Sequence, residues 1–320
     1  APTELSIRGS TASQVLVAFD GIRLDTAQSG RADPSTVPLA LLERIEVARG
    51  GGAVQAGSNA IGGVVDLVPL QPGGPTRTRT TAASGAFGTW QGSLARTGST
   101  AGLDYALAYD GFHSDGDWRF DRLPRRTGIG VVQPVPPRAE RINNESERHA
   151  TLLTVGRSFG ERVHLIARDH LFYESRGAPG LDDGSTAHAG QRAEAHERNL
   201  RHLGLLRLDA AELGGSLIGA RFEVAHLWQR QRFRDPEPVA RLGRTIDVDD
   251  RNSTWTLRGG LDGAWGLGPV RQRLASSLEH RRDALDADDF GDPQRLTVSW
   301  LVQDDVALLD GRLRLVPALR

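Results

Sequence analysis

Trp255-Thr256-Leu257-Arg258-Gly259-Gly260-Leu261-Asp262-Gly263-Ala264-Trp265 is the stretch whose reading decides the fold. Its side chains alternate with period two. Trp255, Leu257, Gly259, Leu261, Gly263 and Trp265 share one face, while Thr256, Arg258, Gly260 and Asp262 share the other. At about 3.3 Å per residue the two tryptophans stand ~33 Å apart along a strand. With a tilt of ~40–45° the separation becomes ~25 Å along a membrane normal, the height of the apolar band between the aromatic girdles of a transmembrane barrel. Strands of a soluble sandwich average only ~5–6 residues.

The same grammar recurs on both sides of this stretch. Ile218, Ala220, Phe222, Val224 and Trp228 share a face opposite Arg221 and Glu223, and Leu296, Val298, Trp300 and Val302 repeat it. Beyond Gln71-Pro72-Gly73-Gly74-Pro75, the clearest linker, the chain carries about ten long strand-like segments. They lie near 76–84, 89–97, 103–113, 148–158, 163–174, 200–210, 217–230, 253–265, 271–283 and 296–308, and an eleventh begins near Leu313. Short connections near Ser99, Gly160, Gly214, Gly266 and Asp310-Gly311 alternate with long polar ones over 114–147, 175–199, 231–252 and 284–295. That is the signature of an up-and-down meander with all turns at one end and all loops at the other. Residues 200–210 alternate poorly, with Leu203, Leu205, Leu206 and Leu208 on both faces, and Asp169 and Asp304 interrupt apolar faces.

Composition narrows the classes further. The 39 basic residues, all Arg, balance 40 acidic ones, so the totals imply no nucleic-acid partner. The absence of Cys removes disulfides, thiolate metal sites and cysteine nucleophiles. No apolar run approaches the ~18 residues of a membrane helix, which excludes a helical membrane protein and leaves a barrel open. With no Met in the chain, Ala1 reads as the start of a mature form or of an excised piece. His164 and His170 lie on a strand with even spacing and could share a face, and no H-E-x-x-H or G-x-S-x-G pattern occurs, so no catalytic constellation is expected.

Residues 1–72 read differently, as a compact segment. It contains a strand at Val15–Phe19, a hairpin signal at Asp20-Gly21, and a short helix over Leu39–Leu42 after Pro38. Four motifs occur in order: Ile7-Arg8-Gly9; Val15 to Leu24; Ile45-Glu46-Val47-Ala48-Arg49-Gly50; and Gly57-Ser58-Asn59-Ala60-Ile61-Gly62-Gly63-Val64-Val65-Asp66. The set resembles the C-terminal half of the plug domain of TonB-dependent outer-membrane receptors, and Val15 to Gly63 is most similar to the vitamin B12 (cobalamin) receptors. Ala56 stands where the family usually has an aromatic residue, and Gly51 where Pro or a small residue is common.

The resemblance implies an all-β-dominated fold: a partial antiparallel up-and-down β-barrel over 73–320, holding half of a small α/β plug over 1–72. It implies an internal piece. The TonB box would lie upstream of Ala1, and a plugged barrel of about 22 strands needs roughly twice the strands counted. The implied function is TonB-dependent uptake of a scarce, bulky nutrient, cobalamin or an iron–siderophore complex, across the outer membrane of a Gram-negative bacterium. The alternative is a barrel serving as an adhesin or as a phage or bacteriocin receptor. The implied partners are TonB, a small metal-chelate ligand and the lipid bilayer.

Site residues follow from the same resemblance. Arg8 and Arg49 are expected to lock the plug to wall carboxylates, with Glu223 and Glu279 as candidate partners. The plug loops Leu24–Arg31 and Gly51–Ser58 are expected to face the vestibule, with Leu24, Asp25, Thr26, Gln28, Ser29, Gln55 and Ser58 as ligand contacts. Acidic clusters at Asp182-Asp183 and at Asp247, Asp249 and Asp250 are candidate calcium ligands, a further one runs from Asp286 to Asp292, and none fits an EF-hand. The glycines at 57, 62 and 63 lack the lysine of a phosphate loop and are expected to serve tight turns and close packing of the plug backbone against the barrel wall.

Overall fold

The computed structural model describes residues 4–26, 30–49, 60–121, 125–126, 132–133, 138–180, 194–215, 217–236, 245–267, 270–288, 291–309 and 312–320. The N-terminal region forms a four-stranded sheet from β1 (Val15–Phe19), β2 (Ile22–Arg23), β3 (Leu42–Ala48) and β4 (Gly63–Pro69), in the order β2-β1-β4-β3. β1 and β4 run parallel, from Val15 opposite Gly63 to Phe19 opposite Leu67, and the other pairs are antiparallel. Asp20 and Gly21 both take positive φ, 52° and 78°, the geometry a two-residue hairpin needs. The helix expected over Leu39–Leu42 is a single 3-10 turn, Leu39–Leu41, because β3 begins at the next residue. The described part of the plug therefore holds 3-10 turns and no α-helix.

After the linker come β5 (Arg77–Ser84), β6 (Trp90–Thr100) and β7 (Leu103–Ser114). The following connection carries two small ribbons, β8 (Arg119–Asp121) with β11 (Arg138–Glu140), and β9 (Arg125–Arg126) with β10 (Val132–Gln133). The main sheet continues with β12 (Ser146–Phe159), β13 (Val163–Gly177), β14 (His196–Ala210), β15 (Ile218–Asp235), β16 (Ile246–Leu267), β17 (Val270–Asp286) and β18 (Gln294–Leu308). β19 (Leu313–Leu315) and β20 (Ala318–Leu319) both pair with β18. Each long strand pairs antiparallel with its chain neighbour, in the meander read from the alternating connection lengths. Several strands outrun the ~9–11 residues that cross a bilayer, and β16, at 22 residues, runs well past it.

The two faces of this sheet have opposite company. Its inner face packs against the plug: Ala95, Ala106, Ala108, Ala150, Leu152, Phe172, Leu203, Leu205, Ala225 and Leu227 join Val15, Val17, Phe19, Ile22 and Leu24 in one buried cluster. Its outer face leaves apolar side chains uncovered, with Trp255 49%, Leu261 58% and Trp265 41% exposed. An uncovered apolar band of this extent is what a sheet facing acyl chains requires. The poor alternation of 200–210 now has a reason. Leu203 and Leu205 contact the plug, while Leu206 and Leu208 face outward, so β14 is apolar on both sides. The interrupting carboxylates are partnered across strands, Asp169 with His202 at 2.5 Å and Asp304 with the Gln272 amide at 2.6 Å.

Toward the long-loop end the outer face carries stacked rings. His113 lies over Trp90 at 5.8 Å, His149 between Tyr109 and Tyr173 at 6.1 and 6.4 Å, and His226 over Trp255 at 4.3 Å. Amphipathic rings collect at a membrane–water boundary, and these histidines, scattered in sequence, are aligned there by strand register.

Candidate functional site

The β1–β2 hairpin meets the wall tip-first, and the wall meets it with arginines. Arg168, whose side chain is fully buried on β13, forms a salt bridge with the Asp20 carboxylate and donates to Thr154 Oγ1 at 2.9 Å. Arg207 on β14 reaches Asp20 Oδ2 at 3.1 Å and the Asp20 carbonyl at 3.3 Å. Arg258 on β16 donates to the Gly21 carbonyl at 3.3 Å. Arg207, Glu223, Arg258 and Glu279 stand directly opposite one another on four successive strands. Glu223, 2% exposed, accepts from Arg207 at 2.8 Å and from Arg258 at 2.9 Å, and Glu279 accepts from Arg258 at 2.6 Å. Alternating charge along one row lets each buried ion be satisfied on both sides, the condition under which buried charge is tolerated.

A second contact holds the segment after the hairpin. Asp25 accepts from Arg23 at 2.9 and 3.0 Å, and Arg281 on β17 donates to its Oδ1 and to its carbonyl, both at 3.4 Å. Arg281 is held in turn by Asp283 at 2.8 Å. On the far side of the plug, Arg201 and Arg79 donate to the carbonyls of Thr36 and Ala40, at 2.9 and 3.0 Å. Above these clamps, at the long-loop end, lies a polar cavity of ≈ 390 Å³. Leu24, Thr26, Arg31, Asp33 and Thr36 line it from the plug, and Arg176, Glu197, Asn199, Arg201, Gln229 and Gln231 from the wall.

Residues 1–64 match the family model of the TonB-dependent Receptor Plug Domain. The N-terminal segment is a plug domain of the TonB-dependent receptors. The chain is 41% identical over 95 residues to the vitamin B12 transporter BtuB of Photobacterium profundum, an alignment covering 29% of this chain and 16% of that one. Its fold matches the ferric enterobactin receptor PfeA of Pseudomonas aeruginosa with a TM-score of 0.75 at 17% identity, over 98% of this chain and 50% of the receptor. The copper transporter OprC matches at a TM-score of 0.67 and 13% identity, over 99% and 49%. The chain thus spans about half the length of these solved structures.

Of the residues expected at the ligand, Thr26 lines the cavity. Leu24 also borders it but is 2% exposed and belongs to the plug–wall core. Asp25 is consumed by Arg23 and Arg281. Gln28, Ser29, Gln55 and Ser58 lie outside the described residues. Arg8 and Arg49 are exposed and make no salt bridge with a described residue, while Glu223 and Glu279, their expected partners, are engaged by wall arginines. The plug–wall ion pairs in the described residues run the other way, from wall arginine to plug carboxylate. Their sequence signal was a charged residue at inward parity on each of four strands.

The calcium candidates do not converge. Asp182 and Asp183 lie outside the described residues. Asp247 is taken by Arg232 at 2.8 and 3.0 Å, and Asp249 by Arg230 at 2.6 and 2.8 Å. Asp250 is buried on the opposite face of β16. Among the described residues no three acidic or histidine side chains are grouped to hold a metal. His164 and His170 do share the inner face of β13, but six residues apart, ~20 Å along the strand; His170 packs on Phe19 at 5.0 Å.

Two plug carboxylates titrate in opposite senses. Burial pushes Asp25 upward, but Arg281 and Arg23 outweigh it and hold the carboxyl below its ordinary 3.8. Burial pushes Asp66 above 3.8, the Gly21 N–H at 3.1 Å offsets only part, and Asp20 and Glu46 add repulsion. Asp25 thus stabilises the fold above its unfolded pKa, and that contribution is lost as pH falls through its depressed native value. Asp66, bound to its proton more tightly when folded, opposes folding increasingly as pH rises from 3.8 through its raised native value. Asp66→Asn, which keeps an acceptor for Gly21, is expected to raise the plug's urea resistance at pH 7 and to leave it unchanged below pH 3.8. Urea titrations of full-length receptor at the two pH values check this; equal resistance at pH 7 refutes it.

Proposed function

We propose that the full-length receptor captures a scarce, bulky metal chelate at the long-loop end of its barrel and imports it across the outer membrane of a Gram-negative bacterium, driven by TonB. The observation that carries this reading is the plug sheet seated on the inner face of the wall and clamped there by Asp20 and Asp25. A passive pore or a display platform has no use for a domain that fills its lumen. A plug held by ion pairs can be displaced by force and can return, and the outer membrane has no energy source of its own to supply that force. The polar cavity above the plug, lined by Thr26, is the proposed ligand contact, and Gln28, Ser29, Gln55 and Ser58 are proposed to share in it. This role is transport and not catalysis.

Cobalamin is the first candidate, because the chain is 41% identical over 95 residues to a vitamin B12 transporter. The test is equilibrium binding of cyanocobalamin and of ferric enterobactin to the full-length receptor, followed by uptake in cells with and without TonB. Saturable binding of cobalamin and TonB-dependent uptake are expected. Binding of neither chelate, or uptake that persists without TonB, overturns the reading.

A further inference from the structure

We propose that the outer face of β14 and β15, above the ring girdle, is a binding site for the phosphate groups of a membrane lipid. The inference rests on the reading of the sheet as a bilayer wall. Outward-facing pairs climb these two strands in order: Leu208 opposite Phe222, Leu206 opposite Val224, Gly204 opposite His226, His202 opposite Trp228, Leu200 opposite Arg230, Arg198 opposite Arg232 and His196 opposite Arg234. The series is apolar and aromatic, with two histidines, up to Trp228, and above it four arginines follow, Arg230, Arg198, Arg232 and Arg234. Arg198 lies four residues above His202, ~13 Å along the strand and ~9 Å along the normal at a barrel strand's tilt. That is the depth at which lipid headgroups meet water.

Like charges directly opposite across strands are unfavourable, and Arg198 stands opposite Arg232 here, with Arg234 and Arg230 on the same face two residues to either side of Arg232. The local acids answer only part of the charge. Asp247 is occupied by Arg232, Asp249 by Arg230 and Arg251, and Glu145 lies 3.6 Å from His196. Arg198 and Arg234 are exposed and make no hydrogen bond or salt bridge with a described residue. A cavity of ≈ 400 Å³ opens between the strands, bounded by Glu194, His196, Arg198, Arg232, Arg234 and Pro236. Guanidinium forks bind phosphate oxygens in bidentate fashion, and a phosphate bridging Arg198 and Arg234 relieves repulsion that Asp247, shared between Arg232 and Arg234, and Glu194 answer only in part. The acyl chains of the same lipid then lie along Leu206, Leu208 and Phe222.

The experiment uses the full-length receptor in detergent, titrated with bis-phosphorylated lipid A, with enzymatically dephosphorylated lipid A and with inorganic phosphate, bound lipid being read by native mass spectrometry. Bis-phosphorylated lipid A is expected to remain bound, the dephosphorylated form to be lost, and millimolar inorganic phosphate not to displace the lipid. Arg198→Gln with Arg234→Gln is expected to weaken retention about fivefold per arginine, roughly 25-fold for the pair. Arg198→Lys with Arg234→Lys, which keeps charge but not the fork, is expected to fall between. Equal binding of the two lipids, wild-type retention by the glutamine pair, or displacement by free phosphate would falsify the site. No nutrient ligand enters this assay, so its failure is distinguishable from failure of the transport reading.

Discussion

Replacing Glu223 by alanine is expected to loosen the plug from its wall by about 3 kcal/mol, the low end of what removing one member of a buried ion network costs. Glu223 is 2% exposed and answers two guanidinium groups at once, Arg207 and Arg258. Each of these also holds the hairpin, Arg207 through Asp20 and Arg258 through the Gly21 carbonyl. Without the carboxylate between them, two cations face each other across one strand, Arg207 left with Asp20 and Arg258 with Glu279. The effect stays at the low end because those two acids remain. Glu223→Gln keeps the acceptor oxygen and loses the charge, so it should lie between. The chain has no cysteine, so a single cysteine introduced at exposed Ser6 carries a unique label within it. Urea-induced release of the labelled plug in the full-length receptor gives the midpoint. Arg8→Glu and Arg49→Glu, both exposed, are expected to leave that midpoint where it is. If the arginine variants shift it and the Glu223 variants do not, the direction of the clamp has been misassigned.

What could be read from the chain alone divides along physical lines. Period-two alternation survives wherever a strand separates an apolar from a polar environment, so Trp255 to Trp265 disclosed both the strand and its outward face. The same logic failed at β14, where the plug makes the inner environment apolar too, and Leu203 and Leu205 became indistinguishable from Leu206 and Leu208. The clamp was hidden for a related reason. An inward arginine looks the same in sequence whether it meets water or a plug carboxylate, and only register sets Arg207, Glu223 and Arg258 in one row. The histidines of the girdle were scattered for that reason as well. His149 and Tyr109 are forty residues apart along the chain, yet their rings stack across β7 and β12. Motif order, in contrast, is a one-dimensional property, and it was enough to recognise the plug, whose family model matches residues 1–64. The short helix after Pro38 was misjudged because the space left before β3 admits one turn.

Gly63→Val is expected to disrupt the plug sheet itself, at a cost of roughly 3 kcal/mol or more, because two destabilising effects combine. Gly63 begins β4 with φ at +146°, a backbone state that side chains rarely adopt, and a Cβ there would sit 2.7 Å from the Ala48 carbonyl oxygen and 3.0 Å from Ile7 Cδ1. The carbonyl belongs to β3, so relief requires β3 and β4 to separate where their pairing ends, at Ala48 opposite Val64. On its other side Gly63 pairs with Val15, the first residue of β1, and β1 leads directly to the clamped hairpin. Strain at this glycine is therefore transmitted along β1 toward Asp20. The neighbouring Gly62 is as confined: a Cβ there would sit 2.4 Å from Ser10 Oγ, 2.7 Å from Ser10 Cβ and 3.3 Å from the Gln14 carbonyl oxygen, so Ser10→Ala removes only the first contact and Gly62→Ala is expected to destabilise the plug even beside it. The close packing expected between these glycines and the barrel wall is, at Gly62 and Gly63, within the plug instead, against its own N-terminal segment and β3, and Gly57 lies outside the described residues. Proteolysis of full-length receptor reads the outcome directly. Gly63→Val is expected to expose the plug to trypsin at its arginines while the wall stays resistant, and a plug as protected as the wild type would show that β3 and β4 accommodate the branch.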